Sequence, residues 1–359
     1  MKSSRIMPSA FSSNLQALLF FLFLLSLLSL PVILNKTGLL KRSDVYLTVP
    51  VRHGPFSYFH HQIFEEKSDV DILFLGSSVL WTAIDPEYVK NEIGKTISKE
   101  PVIFTIGSNW RGEDLLYVQL RDILDNRRVK VLIFSSPPKT PLNDMPHHQS
   151  YRWLTYGDFS DAMEGLPLKY RLSLYAEYVL GAPRHLLSFL RPELPASYEE
   201  DMKLSGAYKA GLNEKDKKAS RNIPEPQSIP VEDMYYSPRR PGWFVFDGPE
   251  LGSYQLHFLK EIARIVKKKD IRLVILNLPL LKDRKMPYVE ERMFWPDIFG
   301  NDVVILGISP AVLFSGLDDK MIKSLYFNPN HFNFRGNEFF TKAIFPAIMR
   351  IYAETISQR

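Results

Sequence analysis

Val70-Asp-Ile-Leu-Phe-Leu-Gly-Ser-Ser78 is the stretch from which the fold is read. Val70 to Leu75 is a largely apolar run that ends at a glycine, as expected of a strand buried on both faces of a sheet. Gly76-Ser77-Ser78 then predicts a turn straight into a helix. A second stretch near the other end, Asn328-Pro-Asn-His331-Phe-Asn-Phe-Arg-Gly336, puts a histidine just ahead of a helix. In an open α/β sheet, loops that leave the carboxyl ends of strands gather along one edge, where such folds hold their sites. A serine after the first strand and a histidine in the last loop can therefore meet as nucleophile and base.

Outward from these stretches, strand and helix patterns alternate. Asp85-Pro86 opens a helix to about Ile93, with the aspartate as cap and proline in the first turn. Pro101 to Ile106 reads as a second strand, Gly112 to about Asn126 as a helix, and Val129 to Phe134 as a third strand. After an interruption, Leu251 to Lys269 has helical apolar spacing. Ile271 to Leu278 and Asp302 to Leu306 read as strands four and five, and Arg335 to Thr355 as the last helix. The expectation is a three-layer α/β/α domain over residues 69–357 with a five-stranded, flavodoxin-like parallel sheet. The interruption, at about 137–250, is an insertion with helices expected near 158–164 and 169–189. Between about Ser197 and Arg240 it turns polar and proline-rich, as in an exposed flexible segment. Its aromatics (Tyr151, Trp153, Tyr156, Tyr170, Tyr175) read as core, or as a platform for carbohydrate.

Upstream, residues 1–14 form a tail, 15–34 an expected transmembrane helix and 35–68 a juxtamembrane linker with a short helix. Leu15 to Leu34 is almost wholly apolar, Lys2 and Arg5 precede it, and no small-residue cleavage site follows. An uncleaved signal anchor is the expectation, with residues 15–34 in the lipid bilayer. The 359 residues carry 45% hydrophobic and 24% charged side chains, a globular composition. Net charge is +5, but the basic residues are scattered, so nucleic acid is not an expected partner. There is no cysteine, which excludes disulfides, thiolate metal sites and a cysteine nucleophile. The adjacent pairs His60-His61 and His147-His148 lack further ligands at metal spacing, and no glycine loop for phosphate is present. No metal and no cofactor are expected.

Read alone, Gly76-Ser77-Ser78 is an ordinary polar turn, and His331 an ordinary loop histidine. Their expected convergence on one sheet edge is what makes them candidates. Gly107, ending the second strand, permits close backbone approach, so its amide is a candidate oxyanion donor beside that of Ser78; a plain strand-end turn explains it as well.

The spacing resembles the SGNH (GDSL-like) hydrolase superfamily, and within it the membrane-anchored acyl-transferring branch, the DltD-type and AlgJ/AlgX-type proteins. In those, Asp-x-x-His-Leu-Asn-x-x-Gly opens the last helix, to which His331-Phe-Asn-Phe-Arg-Gly336 is similar. The resemblance covers about 70–135 and 251–355. It implies Ser78 as nucleophile, His331 as general base and Gly107 as an oxyanion glycine, with Ser77 in place of the usual aspartate. Two positions depart from the family. Asn328 stands where the acid belongs, with Asp318 or Asp319 as possible replacements. The third-block Gly-x-Asn is missing, with Asn109 or Asn143 as possible substitutes for its donor. The resemblance implies an extracytoplasmic acyltransferase or esterase acting on O-acyl groups, acetyl foremost, of a cell-surface or exported polysaccharide, served by a membrane-embedded acyl donor protein. The departures leave open a degenerate domain that binds glycan or scaffolds an assembly.

Overall fold

A computed structural model describes residues 11–37, 41–50, 53–97, 100–137, 144–190, 223–238, 243–248 and 251–358. The five expected strands form: β1 (Val70–Ser77), β2 (Ile103–Ser108), β3 (Val129–Ser135), β4 (Arg272–Leu276) and β5 (Val304–Leu306). They make one parallel sheet in the spatial order β2-β1-β3-β4-β5. Alternation along β1 sends Leu73 and Leu75 to one face and Ile72 and Phe74 to the other, all fully buried.

The first face packs against α4 (Glu113–Asn126) and α6 (Ser253–Lys268), through residues such as Leu116, Phe258 and Ile262. The second packs against α3 (Pro86–Gly94) and α8 (Phe334–Ser357), through Val89, Ile93, Phe340, Ile344 and Ile348. Three layers result.

Between β1 and α3 lies α2 (Ser78–Ala83), a helix of six residues. Gly76 and Gly107 pair side by side at the carboxyl edge. A Cβ on Gly76 would meet Ser135 Oγ at 2.1 Å, and one on Gly107 would meet Trp81 Cβ at 2.5 Å. The two glycines thus let β3's end and α2 close in on β1 and β2.

The stretch read as a linker is packed. Val45, Tyr46, Phe56, Phe59 and Ile63 lie in the same apolar cluster as Leu73. Arg42 pairs with Asp122 of α4 and with Asp158. In the insertion, Gly157–Ala162 and α5 (Leu168–Leu190) are the helices expected there. Tyr151, Trp153, Tyr156 and Tyr170 are buried in the first cluster, which makes them core; Tyr175 is exposed. The polar part of the insertion falls largely outside the described residues.

The expected membrane span requires correction. The segment does form α1 (Asn14–Lys36), but among the described residues no helix is long and apolar enough to cross a membrane. The helix also rests on α5 of its own chain, where the Tyr178 hydroxyl donates to the Leu28 carbonyl at 3.1 Å. Its amino-terminal half, including Leu19, Phe21 and Phe23, is exposed.

Candidate active site

Ser78 is the first residue of α2 and stands where β1 leaves the sheet. His331 comes from a hairpin of β6 (Tyr326–Asn328) and β7 (His331–Phe332), immediately before α8. Although 253 positions apart, Ser78 Oγ and His331 Nε2 are 2.9 Å from each other.

Three features hold His331. Asn333 caps α8, its side chain accepting from the Arg335 and Gly336 amides. Gly336 lets the helix approach the hairpin, since a Cβ there would lie 2.1 Å from the Leu325 carbonyl oxygen and 2.3 Å from Phe332 Cδ1. Asn328 then fixes the ring itself. Its Oδ1 accepts from the Asn330 amide at 2.9 Å and the His331 amide at 3.1 Å, and lies 2.9 Å from His331 Nδ1. Because two backbone N–H groups can only donate, the atom facing the ring is the amide oxygen. His331 Nδ1 is therefore the protonated nitrogen, and Nε2 turns a lone pair toward Ser78.

The α8 helix also steadies the serine's side of the site. Asn337 Nδ2 donates to the Thr82 carbonyl at 3.1 Å, and the Thr341 hydroxyl to that of Ala83 at 3.4 Å, at the end of α2. Burial lowers the pKa of His331 below its ordinary value, which keeps the imidazole neutral and able to accept a proton.

The remaining candidates separate. Asp318 caps a short helix, α7 (Asp319–Lys323), by accepting from the Met321 amide at 2.7 Å. Asp319 pairs on the surface with Arg284 at 3.0 Å. Each carboxylate is thus engaged away from His331, and among the described residues it is Asn328 that faces its Nδ1. Gly107 is not among the described residues lining the cleft, and a Cβ there would meet Trp81, so its missing side chain makes room for α2. Asn109 does line the cleft, beside Trp110 and Arg111. Asn143 lies outside the described residues. Ser77, in the aspartate's place, makes no side-chain capping bond to α2 and also lines the cleft.

The cleft over the pair is about 430 Å³, within the usual range for small-molecule sites. Reading the sequence alone missed Trp110, Arg111 and Phe327 on its walls. The available signal was the Trp-Arg dipeptide that follows Asn109 at the strand exit. Arg111 is almost fully buried and holds both carboxylate oxygens of Glu113, while its Nη1 donates to Ser135 Oγ at 2.8 Å.

No family model, curated protein or solved structure matches this chain.

Proposed function

We propose that the chain is a serine-dependent O-acyl esterase or acyltransferase acting on polysaccharide. The contact between Ser78 Oγ and His331 Nε2 at 2.9 Å, with Nδ1 held on Asn328, is the observation that carries this reading. Ser78 Oγ attacks the acyl carbonyl carbon while His331 Nε2 takes its proton. Collapse of the tetrahedral intermediate expels the leaving alkoxide, which is protonated from His331. Water or a sugar hydroxyl then attacks the acyl-enzyme, with His331 again as base. The Ser78 amide and the Asn109 side chain are our candidates for holding the oxyanion.

The triad is of the Ser-His-Asn kind. An asparagine impairs a serine triad when its amide group leaves the histidine in the wrong tautomer. Here Asn328 presents oxygen, as the Cys-His-Asn proteases require of theirs, and the productive tautomer survives. The resemblance of the serine and histidine motifs to SGNH enzymes supports acyl chemistry and, with the lack of cysteine, a site of action outside the cytoplasm. A membrane-embedded donor protein would supply the acyl group in the transferase version.

A fluorophosphonate serine probe tests the reading. Modification of Ser78 in the parent, and its loss in His331→Ala, is the expected result. The neutral amide in the acid's position favours a second reading, a glycan-binding or scaffolding domain without catalysis. Failure of the probe to modify a folded parent protein would select it. A carboxyl-terminal phosphatase fusion, active only outside the cytoplasm, tests the compartment.

A further inference from the structure

Trp110 directly follows Asn109 at the exit of β2 and has φ of +56°, a left-handed conformation unusual for a bulky residue. Backbone held in this region concentrates at ligand sites, where the surroundings enforce it. The enforcing contacts are visible. Asn109 N donates to the His53 carbonyl at 2.9 Å. The indole rests against the His53 ring at 5.3 Å and the His148 ring at 5.2 Å, and those two imidazoles are joined by a 2.8 Å hydrogen bond. Despite this support, Trp110 is 59% exposed on the cleft wall. Phe327, one residue before Asn328 on β6, is 68% exposed and lines the same cleft.

The charge of the cleft narrows its occupant. Arg111 is the only Asp, Glu, Lys or Arg among the described lining residues, and its guanidinium is compensated by Glu113. Apart from the His331 imidazole, the other polar lining side chains include neutral hydroxyls and amides such as Thr82, Asn109 and Asn330. Aromatic faces beside uncharged hydrogen-bonding groups suit a ring with apolar C–H faces and hydroxyl edges. Among the described lining residues, neither a phosphate nor a uronate carboxylate finds an uncompensated Lys or Arg.

We propose that Trp110 and Phe327 form the subsite for an uncharged pyranose ring of the substrate, Trp110 stacking on the ring's face, so that the enzyme selects neutral O-acyl glycans over acidic ones. This specificity rests on the acyl-transfer reading for its purpose, but the binding it requires does not.

The test is calorimetric titration of full-length Ser78→Ala protein, which cannot turn over ligand, with O-acetylated cellotetraose and with O-acetylated tetragalacturonate. The neutral probe should bind the more tightly. Adding Trp110→Ala should weaken that binding about tenfold, the scale of one aromatic stacking contact, and Trp110→Phe should restore most of it. Unchanged thermal midpoints would show that both variants are folded; if Trp110→Ala unfolds, Trp110→Phe against Trp110→Leu makes the same comparison. Equal binding by the alanine and parent proteins, or a preference for the galacturonate, overturns the proposal. So does a loss confined to turnover of p-nitrophenyl octanoate in Trp110→Ala, which would make the wall an acyl-chain site. Glycan binding that depends on Trp110 in a protein inert to fluorophosphonate would retain the subsite and reject the catalytic reading.

Discussion

Asn328 Oδ1 gathers two backbone amides and the imidazole Nδ1, and in the proposed reaction this convergence would let an uncharged residue do part of an acid's work. It sets the tautomer, but it gives a protonated imidazole no ionic partner. Asn328→Asp should therefore raise turnover of p-nitrophenyl acetate, by less than the roughly 10⁴-fold that separates asparagine from aspartate where the tautomer also fails. The same change has a signed effect on pH dependence. The proposed reaction needs neutral His331, whose pKa burial has lowered, so the parent's acidic limb should lie below the ordinary histidine range. A carboxylate beside Nδ1 favours imidazolium, so the limb in Asn328→Asp should move to higher pH. A limb that stays in place or moves down would remove His331 as the titrating base. Asp318→Ala should cost about 1 kcal/mol in a urea melt, the worth of a lost helix cap, with no change in that limb.

Among the elements, α8 matters most to the site. Its capped first turn fixes the hairpin that carries His331, and its second turn holds the end of α2, which carries Ser78. Serine and histidine are therefore registered through one helix. Asn337→Ala removes the bond to Thr82 without touching either residue. It should slow fluorophosphonate labelling of Ser78 more than it lowers stability, for which about 1 kcal/mol is expected for one hydrogen bond. Equal labelling rates for variant and parent would show that α2 is held adequately by packing. On the opposite face, Arg42 lies between Asp122, which is buried, and Asp158. Burial raises the Asp122 carboxyl to about 6, while Arg42 and Tyr46 act against that rise. Arg42→Met would strand Asp122, and a loss of about 3 kcal/mol is expected, partly recovered by adding Asp122→Asn.

Across the whole molecule, one apolar cluster joins Tyr46, Trp153 and Phe159 to Leu73 of the sheet and Phe258 of α6. Segments before the sheet and within the insertion therefore share its core, and unfolding followed by tryptophan fluorescence and by circular dichroism should coincide. Acid stability supplies a signed test. His147 is buried beside His148, and its pKa is lowered to about 3. Between that value and about 6.5 the unfolded chain binds a proton that the folded one refuses, so this group's contribution to stability falls as pH falls. Asp122, raised to about 6, works in the other direction. The difference between parent and His147→Gln isolates the first effect, and the variant should lose less stability than the parent between pH 7 and pH 4.

The sequence by itself determined the layered α/β architecture, because strands buried on both faces are continuous apolar runs and their helices keep a 3.6-residue period. All five strands formed within three residues of their expected limits. Ser78 was legible for a related reason, since a residue at a strand exit is delivered to the carboxyl edge, while His331 was legible only as the residue just ahead of the last helix and arrives on a hairpin. What the lack of a side chain at Gly107 makes room for was not legible, since a glycine's sequence position does not reveal its neighbour, and here that neighbour is Trp81. The span expected at 15–34 needed correction because a count of apolar residues does not register packing of that helix on α5 of its own chain. Only the tertiary structure could decide the role of Asn328, which depends on two backbone amides of a hairpin turning its oxygen toward a ring. The same holds for the wall of Trp110 and Phe327, assembled from segments more than two hundred residues apart, with imidazoles from two further segments behind the indole. Such convergence is a property of packing and has no periodic trace along the chain.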